Sequence, residues 1–269
     1  MPTNYRWAGL GILLCLSIVT TRKSVFSQSI KPENEVHITS IYDNYQADKS
    51  LETDWGFACL VEYKGNKMLF DAGRRSDLYK KNMELLQINP MEIPYLFISH
   101  EHGDHTAGMP WITSINPSVI CYLPDSYAND LRSKDILPEN SLGLSKPAHL
   151  FGPFYSTGDD FLSFKEQGLV IKTEQGGVLL TGCGHPGAME MAEVAKEELG
   201  IEIHTLIGGL HLMRSSDNEL SQITSTLKNM GIEQICPTHC TGDHSIDYFA
   251  KSFGDGYISG GTGKEIVIK

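Results

Sequence analysis

The chain has 269 residues, of which 41% are hydrophobic, and it carries a formal net charge of −11 at pH 7. That length holds one large globular domain or two small ones, with enough apolar residues for a buried core. The acidic balance, without a cluster of Lys and Arg, argues against nucleic acid or an anionic membrane as the partner. We therefore expect a small-molecule substrate.

The first segment differs in kind from the rest of the chain. An uncharged apolar run from Trp7 to Val19 follows Arg6. The run is shorter than a membrane-spanning helix, which needs about 20 residues, and it matches the apolar region of a secretory signal. Residues 25–27 supply a small-residue cleavage site.

Two basic residues leave a second interpretation of this segment open. Arg22 and Lys23 follow the apolar run and are unusual in a secretory signal, so an uncleaved N-terminal anchor is the alternative. We expect a signal peptide or anchor over residues 1–27 and a single domain over 28–269. Both interpretations predict an exported protein, periplasmic or secreted, with no membrane association beyond that anchor.

The cysteines do not form a disulfide framework. Removal of the signal would leave five of the six, an odd number that is scattered along the chain: Cys59, Cys121, Cys183, Cys236 and Cys240. Frameworks of small secreted domains use an even number at regular spacing. One pair could still bond in an exported protein, and the sequence does not identify it.

The first half of the chain mixes strands and helices. Apolar or alternating runs predict strands at 37–42, 55–63, 67–71, 93–98 and 118–123. Residues 64–66 (KGN) are typical of a turn, so the second and third strands form a hairpin. Helices are expected from Ser76, stopped by Pro90, and from Ser126. Residues 134–160 contain three Pro and several Gly, which predicts an irregular surface segment at the substrate rim.

The second half alternates strands and helices more regularly. Strands are expected at 168–173, 177–181, 203–207, 234–237 and 265–268, and helices at 188–198, 217–230 and 246–253. Gly200 and Gly231 end the first two of these helices. Strands that alternate with helices place loops at one edge of a sheet, where metal-binding and catalytic residues usually sit.

A metal-binding pattern directly follows the strand at 93–98. Residues 99–105 (SHEHGDH) contain three histidines and an aspartate, which suit zinc or a similar divalent metal. Alternate residues of an extended segment point the same way, so His100 and His102 could share one metal. Once the chain turns at Gly103, Asp104 and His105 could face a second metal nearby.

Three later strands also end in loops that carry a histidine: His185, His211 and His239. Two cysteines, Cys183 and Cys240, lie close to these histidines and are expected to pack beside the ligands, with direct ligation as the alternative. Asp71 ends an earlier strand, where an aspartate either forms an ordinary turn or hydrogen-bonds to the metal-binding loop.

The order of these motifs resembles the metallo-β-lactamase superfamily. The match is His-x-His-x-Asp-His at 100–105, with Asp71 before it and His185 and His239 after it. It covers about residues 37–269. The resemblance implies an α+β fold, a four-layer αββα sandwich in which two β-sheets pack together and helices lie outside.

Three further segments narrow the resemblance. Residues 181–187 (TGCGHPG), 208–212 (GGLHL) and 239–242 (HCTG) are similar to the branch named after a dihydropterin ribofuranosylaminobenzene phosphate synthase of methanopterin biosynthesis. Residues 166–169 (EQGL) fit that branch too. In that branch, the segment that matches residues 208–212 has a histidine where many relatives carry a bridging carboxylate or Cys. This implies that His211 lies at or near the metals.

The resemblance implies two divalent metal ions, zinc in the first place, with manganese and iron also accepted by such ligands. The implied ligands form one set of three, a second set of three and one residue at or near both: His100, His102 and His185; Asp104, His105 and His239; and His211.

Two functions follow from this resemblance. The first is a metal-dependent hydrolase whose dinuclear, metal-activated hydroxide attacks an ester, lactone, amide or phosphodiester, with Asp104 as the catalytic residue that orients the nucleophile. The second is a metal-dependent transferase like the namesake of the branch, joining a pterin-methyl diphosphate to an aromatic amine. An exported location argues against the second, because such intermediates are cytoplasmic.

Overall fold

The computed structural model of the chain describes residues 1, 3 and 32–269. Apart from residues 1 and 3, the signal peptide or anchor predicted over 1–27 lies outside the described residues. Residues 32–269 belong to one compact unit. Within the part of the chain that the structure describes, no helix combines the length and the apolar character needed to span a membrane.

The strands of residues 32–269 form two sheets. The first sheet contains, in spatial order, β13 (Glu265–Ile268), β1 (Val36–Tyr42), β2 (Ala58–Tyr63), β3 (Asn66–Phe70), β4 (Tyr95–Phe97), β5 (Ile120–Pro124) and β6 (Ser141–Leu144). The second contains β12 (Gln234–Thr238), β11 (Ile203–Gly209), β10 (Gly177–Thr181), β9 (Leu169–Lys172), β8 (Phe154–Ser156) and β7 (Ala148–Phe151).

Helices cover the outer face of each sheet. The described α-helices are α1 (Ser76–Leu85), α2 (Gly103–Thr106), α3 (Met109–Ile115), α4 (Asp125–Ser133), α5 (Ala188–Glu197), α6 (Asp217–Asn229) and α7 (Asp243–Phe253). Buried side chains of α1, α3 and α4 pack on the first sheet, and those of α5, α6 and α7 pack on the second.

The strands supply both the core between the sheets and the layers under the helices. In β2, Cys59 and Val61 belong to the cluster between the sheets, whereas Ala58 and Leu60 pack toward the helices. Successive strand residues point to opposite faces, so both faces of this strand are buried. The molecule is therefore a four-layer αββα sandwich, and the predicted fold class is confirmed.

The hairpin and most of the predicted strands and helices are present. β2 and β3 pair as antiparallel neighbours, and residues 64–66 turn between them, with Lys64 and Gly65 at positive φ. The first helix ends at Leu85, before the expected stop at Pro90, and its cap residue Leu86 bonds back to the carbonyl of Asn82. Asn66 already pairs with Tyr63, so the turn itself consists of Lys64 and Gly65, and the predicted hairpin is present.

The prediction of an irregular segment at 134–160 is wrong. That segment contains β6, which pairs in parallel with β5, and the hairpin of β7 and β8, which forms the edge of the second sheet. Gly152, at φ 46°, lies in the turn of this hairpin, and Pro153 follows it. Short edge strands have too few residues to show periodicity, and their partners lie in other parts of the chain.

Candidate metal centre

The histidine loops come together because of the strand directions. β10, β11 and β12 are parallel neighbours, so the residues that follow them, His185, His211 and His239, lie at one edge of the second sheet. β4 lies between β3 and β5 and runs parallel to both, and it leads into His100 in the same way. The carboxyl ends of strands from both sheets thus surround one site.

The His-x-His-x-Asp-His segment changes from extended to helical at its midpoint. His102 has extended backbone angles (φ −61°, ψ 141°) and is the N-cap of α2, whose first turn contains Asp104 and His105. The extended half places Nε2 of His100 3.0 Å from Nδ1 of His102. The two halves of the motif therefore present their side chains to different parts of the site.

Two sets of the predicted ligands are assembled. In the first, Nε2 of His185 lies 3.3 Å from Nδ1 of His102, which also faces His100. In the second, Oδ2 of Asp104 lies 3.7 Å from Nε2 of His105 and 3.5 Å from Nε2 of His239. This is the grouping that the sequence predicted, and the ligand roles themselves stay predictions.

Four of these six residues, together with Cys183, form two groups of donor atoms that fit divalent metal ions, and His102 and Asp104 belong to neither group. The donor atoms of His100, Cys183 and His185 all lie within 4.8 Å of one another, and so do those of His105, Cys183 and His239. Nε2 of His239 is buried and has no hydrogen-bond partner in the described structure. A buried polar atom without a partner is costly, whereas imidazole and thiolate are good ligands for borderline and soft metals.

Asp71 orients two of the histidines. Its carboxylate accepts hydrogen bonds from the backbone N–H and hydroxyl of Ser99, at 2.7 and 2.8 Å, and from Nδ1 of His105 at 2.7 Å. Oγ of Ser99 also lies 2.9 Å from Nδ1 of His100. Since Asp71 accepts the Ser99 proton, the Nδ1 atoms of both histidines donate, and their Nε2 lone pairs remain free for metal.

Asn44 orients His239 in a similar way, and no feature of the sequence pointed to this residue. Its amide nitrogen donates to the carbonyl of His239 at 3.3 Å, and its amide oxygen lies 2.9 Å from Nδ1 of that histidine. Nδ1 is therefore the donor, and Nε2 carries the lone pair. The loop that carries Asn44 follows β1, so only the packing of the two sheets brings it here.

Glu166 is the second residue that sequence reasoning did not place at the site. Its fully buried carboxylate accepts the backbone N–H groups of Gly182, Cys183, Gly184 and His185 at 2.8–3.1 Å. Burial raises the pKa of Glu166 to about 7, although those four donors favour the charged form. The carboxylate thus fixes the conformation of the loop that carries two donor side chains.

His211 lies beside the cluster and is exposed. Its ring centroid is 4.4 Å from that of His185, and a hydrogen bond with Cys240 raises its pKa. Cys240 also forms a hydrogen bond with Cys183, which raises the pKa of the Cys183 thiol and lowers that of the Cys240 thiol. His211 thus contacts a ligand ring and a thiol, and it belongs to neither group of donor atoms that could hold a metal.

Backbone strain concentrates at this site. Asp71, His211 and His239 have φ values of 56°, 55° and 50°, in the left-handed region that glycine favours. Such a conformation costs about 1–3 kcal/mol per residue and persists where the surroundings enforce it, often at functional sites. Three of the predicted site residues therefore hold their side chains in position against a backbone preference.

Burial and charged neighbours shift the pKa values of several site residues. Burial and neighbouring histidines hold the pKa of His100 well below its ordinary value and lower that of His185 to about 4. Burial opposes the charge of Asp104, but the neighbouring imidazoles of His239 and His105 prevail and lower its pKa. Burial acts to lower the pKa of His105, but the charge of Asp71 and its hydrogen bond outweigh burial, so the pKa is raised.

A cavity of 620 Å³ lies next to the second set and is lined by Trp55, Arg74, Gly103, Asp104 and Ala107. Its volume is within the range of about 300–1,000 Å³ that is typical of small-molecule sites. The ring of Trp55 lies 4.7 Å from that of His239.

A second aromatic ring, that of Phe164, lies against the first set, 4.3 Å from the ring of His185 and 5.2 Å from that of His102. Sequence reasoning identified none of Trp55, Arg74 and Phe164.

The chain is similar in sequence and in fold to members of a known protein family. The sequence model described as the metallo-beta-lactamase superfamily matches residues 56–198, just over half of the chain. The chain is similar to a solved metal-dependent hydrolase of the beta-lactamase superfamily, Tm1679, with a TM-score of 0.70 and 22% identity, over 86% of this chain and 98% of that one. At that identity the likeness shows the fold.

Two curated relatives are similar in sequence. The 7,8-dihydropterin-6-methyl-4-(beta-D-ribofuranosyl)-aminobenzene-5'-phosphate synthase of Methanocaldococcus jannaschii is 26% identical over 87% of this chain and 97% of its own length. Ribonuclease Z of Nanoarchaeum equitans is 44% identical over 52 residues, which are 19% of this chain and 16% of the ribonuclease.

Proposed function

Because the chain belongs to the metallo-β-lactamase superfamily, whose members are typically enzymes with two metal ions, we propose that it is a metal-dependent hydrolase of a small molecule. The bond that it cleaves is that of an ester, lactone, amide or phosphodiester. The resident cofactor is a pair of divalent cations, zinc in the first place, held by His100, His102 and His185 and by Asp104, His105 and His239. The short distances between side chains within each set support this assignment.

The position of Asp104 carries the proposal. Its carboxylate lies 3.5 Å from Nε2 of His239 and also lines the 620 Å³ cavity, so one residue belongs to both the ligand cluster and the space for a substrate. Its lowered pKa keeps it ionised at neutral pH. An ionised carboxylate at this place accepts a hydrogen bond from an attacking water and holds that water toward the cavity.

Bound metals would supply Lewis acidity, lowering the pKa of water from about 15.7 toward about 7 and polarising the bond to be cleaved. The chain supplies the remaining parts. Asp71 and Asn44 hold Nδ1 of His105 and of His239 and so orient the two rings, and Trp55 and Phe164 border the cluster with apolar surface that limits the access of bulk water.

The substrate proposed here is a small molecule and not a nucleic acid. The similarity to ribonuclease Z covers 16% of that enzyme, and the chain is acidic. Phosphate backbones require clustered positive charge, whereas the cavity is bordered by one arginine, Arg74. We further propose export, with residues 1–27 as signal peptide or anchor, on the basis of their uncharged apolar run.

A second candidate is a metal-dependent transferase that resembles the dihydropterin synthase. The similarity to that enzyme over 97% of its length favours it. The proposed export argues against it, because pterin diphosphates are cytoplasmic intermediates. The two functions use the same ligands and differ in whether water or an amine attacks.

The deciding experiment is a hydrolysis panel of ester, lactone, amide and phosphodiester substrates, run beside a pterin-condensation assay on the same metal-analysed protein. We expect about two metals per chain and turnover in one hydrolysis class. His102→Ala and Asp104→Ala should abolish that turnover, whereas Glu101→Ala, an exposed residue between two ligands, should retain it. Condensation without hydrolysis would favour the transferase, and full activity of metal-free protein would contradict both.

A further inference from the structure

One side chain belongs to both groups of donor atoms. Within residues 32–269, the group of His100 and His185 and the group of His105 and His239 have Cys183 in common. Its sulfur lies 3.3 Å from Nε2 of His105. A cysteine that packs in a core touches apolar side chains, whereas this sulfur has the thiol of Cys240 and an imidazole nitrogen as neighbours and three further histidines close by.

Specific contacts of its loop fix the position of Cys183. The backbone N–H groups of Gly182, Cys183 and Gly184 donate to the buried carboxylate of Glu166. A Cβ at Gly182 would lie 2.1 Å from Oγ of Ser99, so glycine alone lets this loop meet the loop of the His-x-His-x-Asp-His motif. These contacts hold the sulfur between the two sets of histidines.

The surroundings of the sulfur point to a missing ligand. Nε2 of His239, a member of the same donor group, is buried and has no hydrogen-bond partner in the described structure. Cys183 itself forms no disulfide among residues 32–269 and is 4% exposed. A buried thiol and a buried imidazole nitrogen without a hydrogen bond, both in one group of donor atoms beside Asp104, are explained by a cation that both bind.

We propose that Cys183 is a metal ligand, and that its thiolate is the donor shared by the two metal positions. This rests on the metal-dependent function proposed above. The thiol proton leaves to solvent as the S–metal bond forms, because a coordinating thiol is deprotonated outright. A soft thiolate selects zinc or cobalt over magnesium or manganese, so the proposal also assigns the class of metal. We expected Cys183 to pack beside the ligands, whereas in this proposal it is a ligand itself.

Cobalt loading of the full chain tests the proposal without any substrate. Cobalt bound by a thiolate gives an intense near-ultraviolet charge-transfer absorption that histidine and carboxylate ligands do not give. We expect this band in the wild type at full cobalt stoichiometry, its loss in Cys183→Ser, and its retention in Cys240→Ser, whose sulfur belongs to neither donor group. A band that persists in Cys183→Ser overturns the proposal.

A second measurement covers the case in which Cys183→Ser does not fold. X-ray absorption of the zinc-loaded Cys240→Ser protein should show a sulfur scatterer at about 2.3 Å. Zinc bound at full stoichiometry with nitrogen and oxygen neighbours alone overturns the assignment of Cys183 and leaves the hydrolase intact. A protein that binds neither cobalt nor zinc overturns this proposal together with the proposed function.

Discussion

Nδ1 of His105 lies 2.7 Å from Oδ2 of Asp71, and both side chains are completely buried. The pair connects the end of β3 to the first turn of α2, and it leaves Nε2 of His105 as the atom that faces the site. A buried carboxylate–imidazole pair of this kind fixes both the tautomer and the direction of a metal ligand. Its removal should therefore affect metal binding more than folding.

The first prediction concerns this pair. In Asp71→Asn, the new amide N–H would donate to Nδ1 of His105 and force the proton onto Nε2, which then cannot bind metal. We expect metal affinity to fall about 10–100-fold with little change in circular dichroism. Competition with a zinc chelator measures the affinity, and Asp77→Asn, on the exposed end of α1, is the matched control. Equal affinities would contradict the role assigned to Asp71.

The second prediction concerns Glu166. Glu166→Ala would leave four buried N–H groups of the 182–185 loop without an acceptor. Each such donor costs about 1–3 kcal/mol, so we expect a loss of about 3 kcal/mol or more in the free energy of unfolding.

Metal stoichiometry should fall in the same variant, because the loop carries Cys183 and His185. Urea unfolding and metal analysis measure the two effects, and Glu197→Ala, on the exposed face of α5, should change neither. If Glu166→Ala binds metal as the wild type does, the loop does not depend on this carboxylate.

The third prediction concerns pH. Burial raises the pKa of Asp43 to about 6 despite the hydrogen bond from Thr238, whereas an unfolded aspartate has a pKa of about 3.9. The folded state therefore binds the proton more tightly. The stabilisation that protonated Asp43 gives the folded state is complete below about pH 4 and is lost as the pH rises through 6. The free energy of unfolding falls by about 3 kcal/mol over that range.

Asp43→Asn should remove this loss, because the amide can still pair with Thr238 and accept from the N–H of Tyr45. Urea unfolding of chelator-treated protein from pH 4 to 7 provides the comparison. The difference between wild type and variant should grow in favour of the variant with rising pH, and a constant difference would show that Asp43 does not titrate in this range.

The fourth prediction concerns substrate charge. Arg74 lines the cavity beside Asp104, whereas its neighbour Arg75 pairs with Asp77 at 2.6 Å. Arg74→Gln should raise KM for substrates with a carboxylate or phosphate group about tenfold or more, since a hydrogen bond to a charged group contributes about 1.5–3 kcal/mol. Neutral substrates should be unaffected. Arg75→Gln is the control, and an equal change in both variants would exclude a specific contact.

The sequence by itself determined the parts of this protein that depend on local spacing. Apolar runs predicted the strands on either side of the 64–66 turn, and six consecutive residues predicted the turn at Gly103 that separates His100 and His102 from Asp104 and His105. These features need no distant partner, because strand periodicity and helix initiation are properties of a short segment.

The tertiary structure alone decided what depends on partners far away in the chain. Asn44 reaches His239 across 195 positions, and Glu166 reaches the loop of Cys183 and His185 from the segment before β9. Edge strands in 134–160 form because β5 and β9 offer unpaired backbone groups to them. Such contacts depend on how the two sheets pack together. The composition and spacing of a short segment do not reveal that packing. The packing also placed the sulfur of Cys183 between two sets of histidines that the sequence had already predicted.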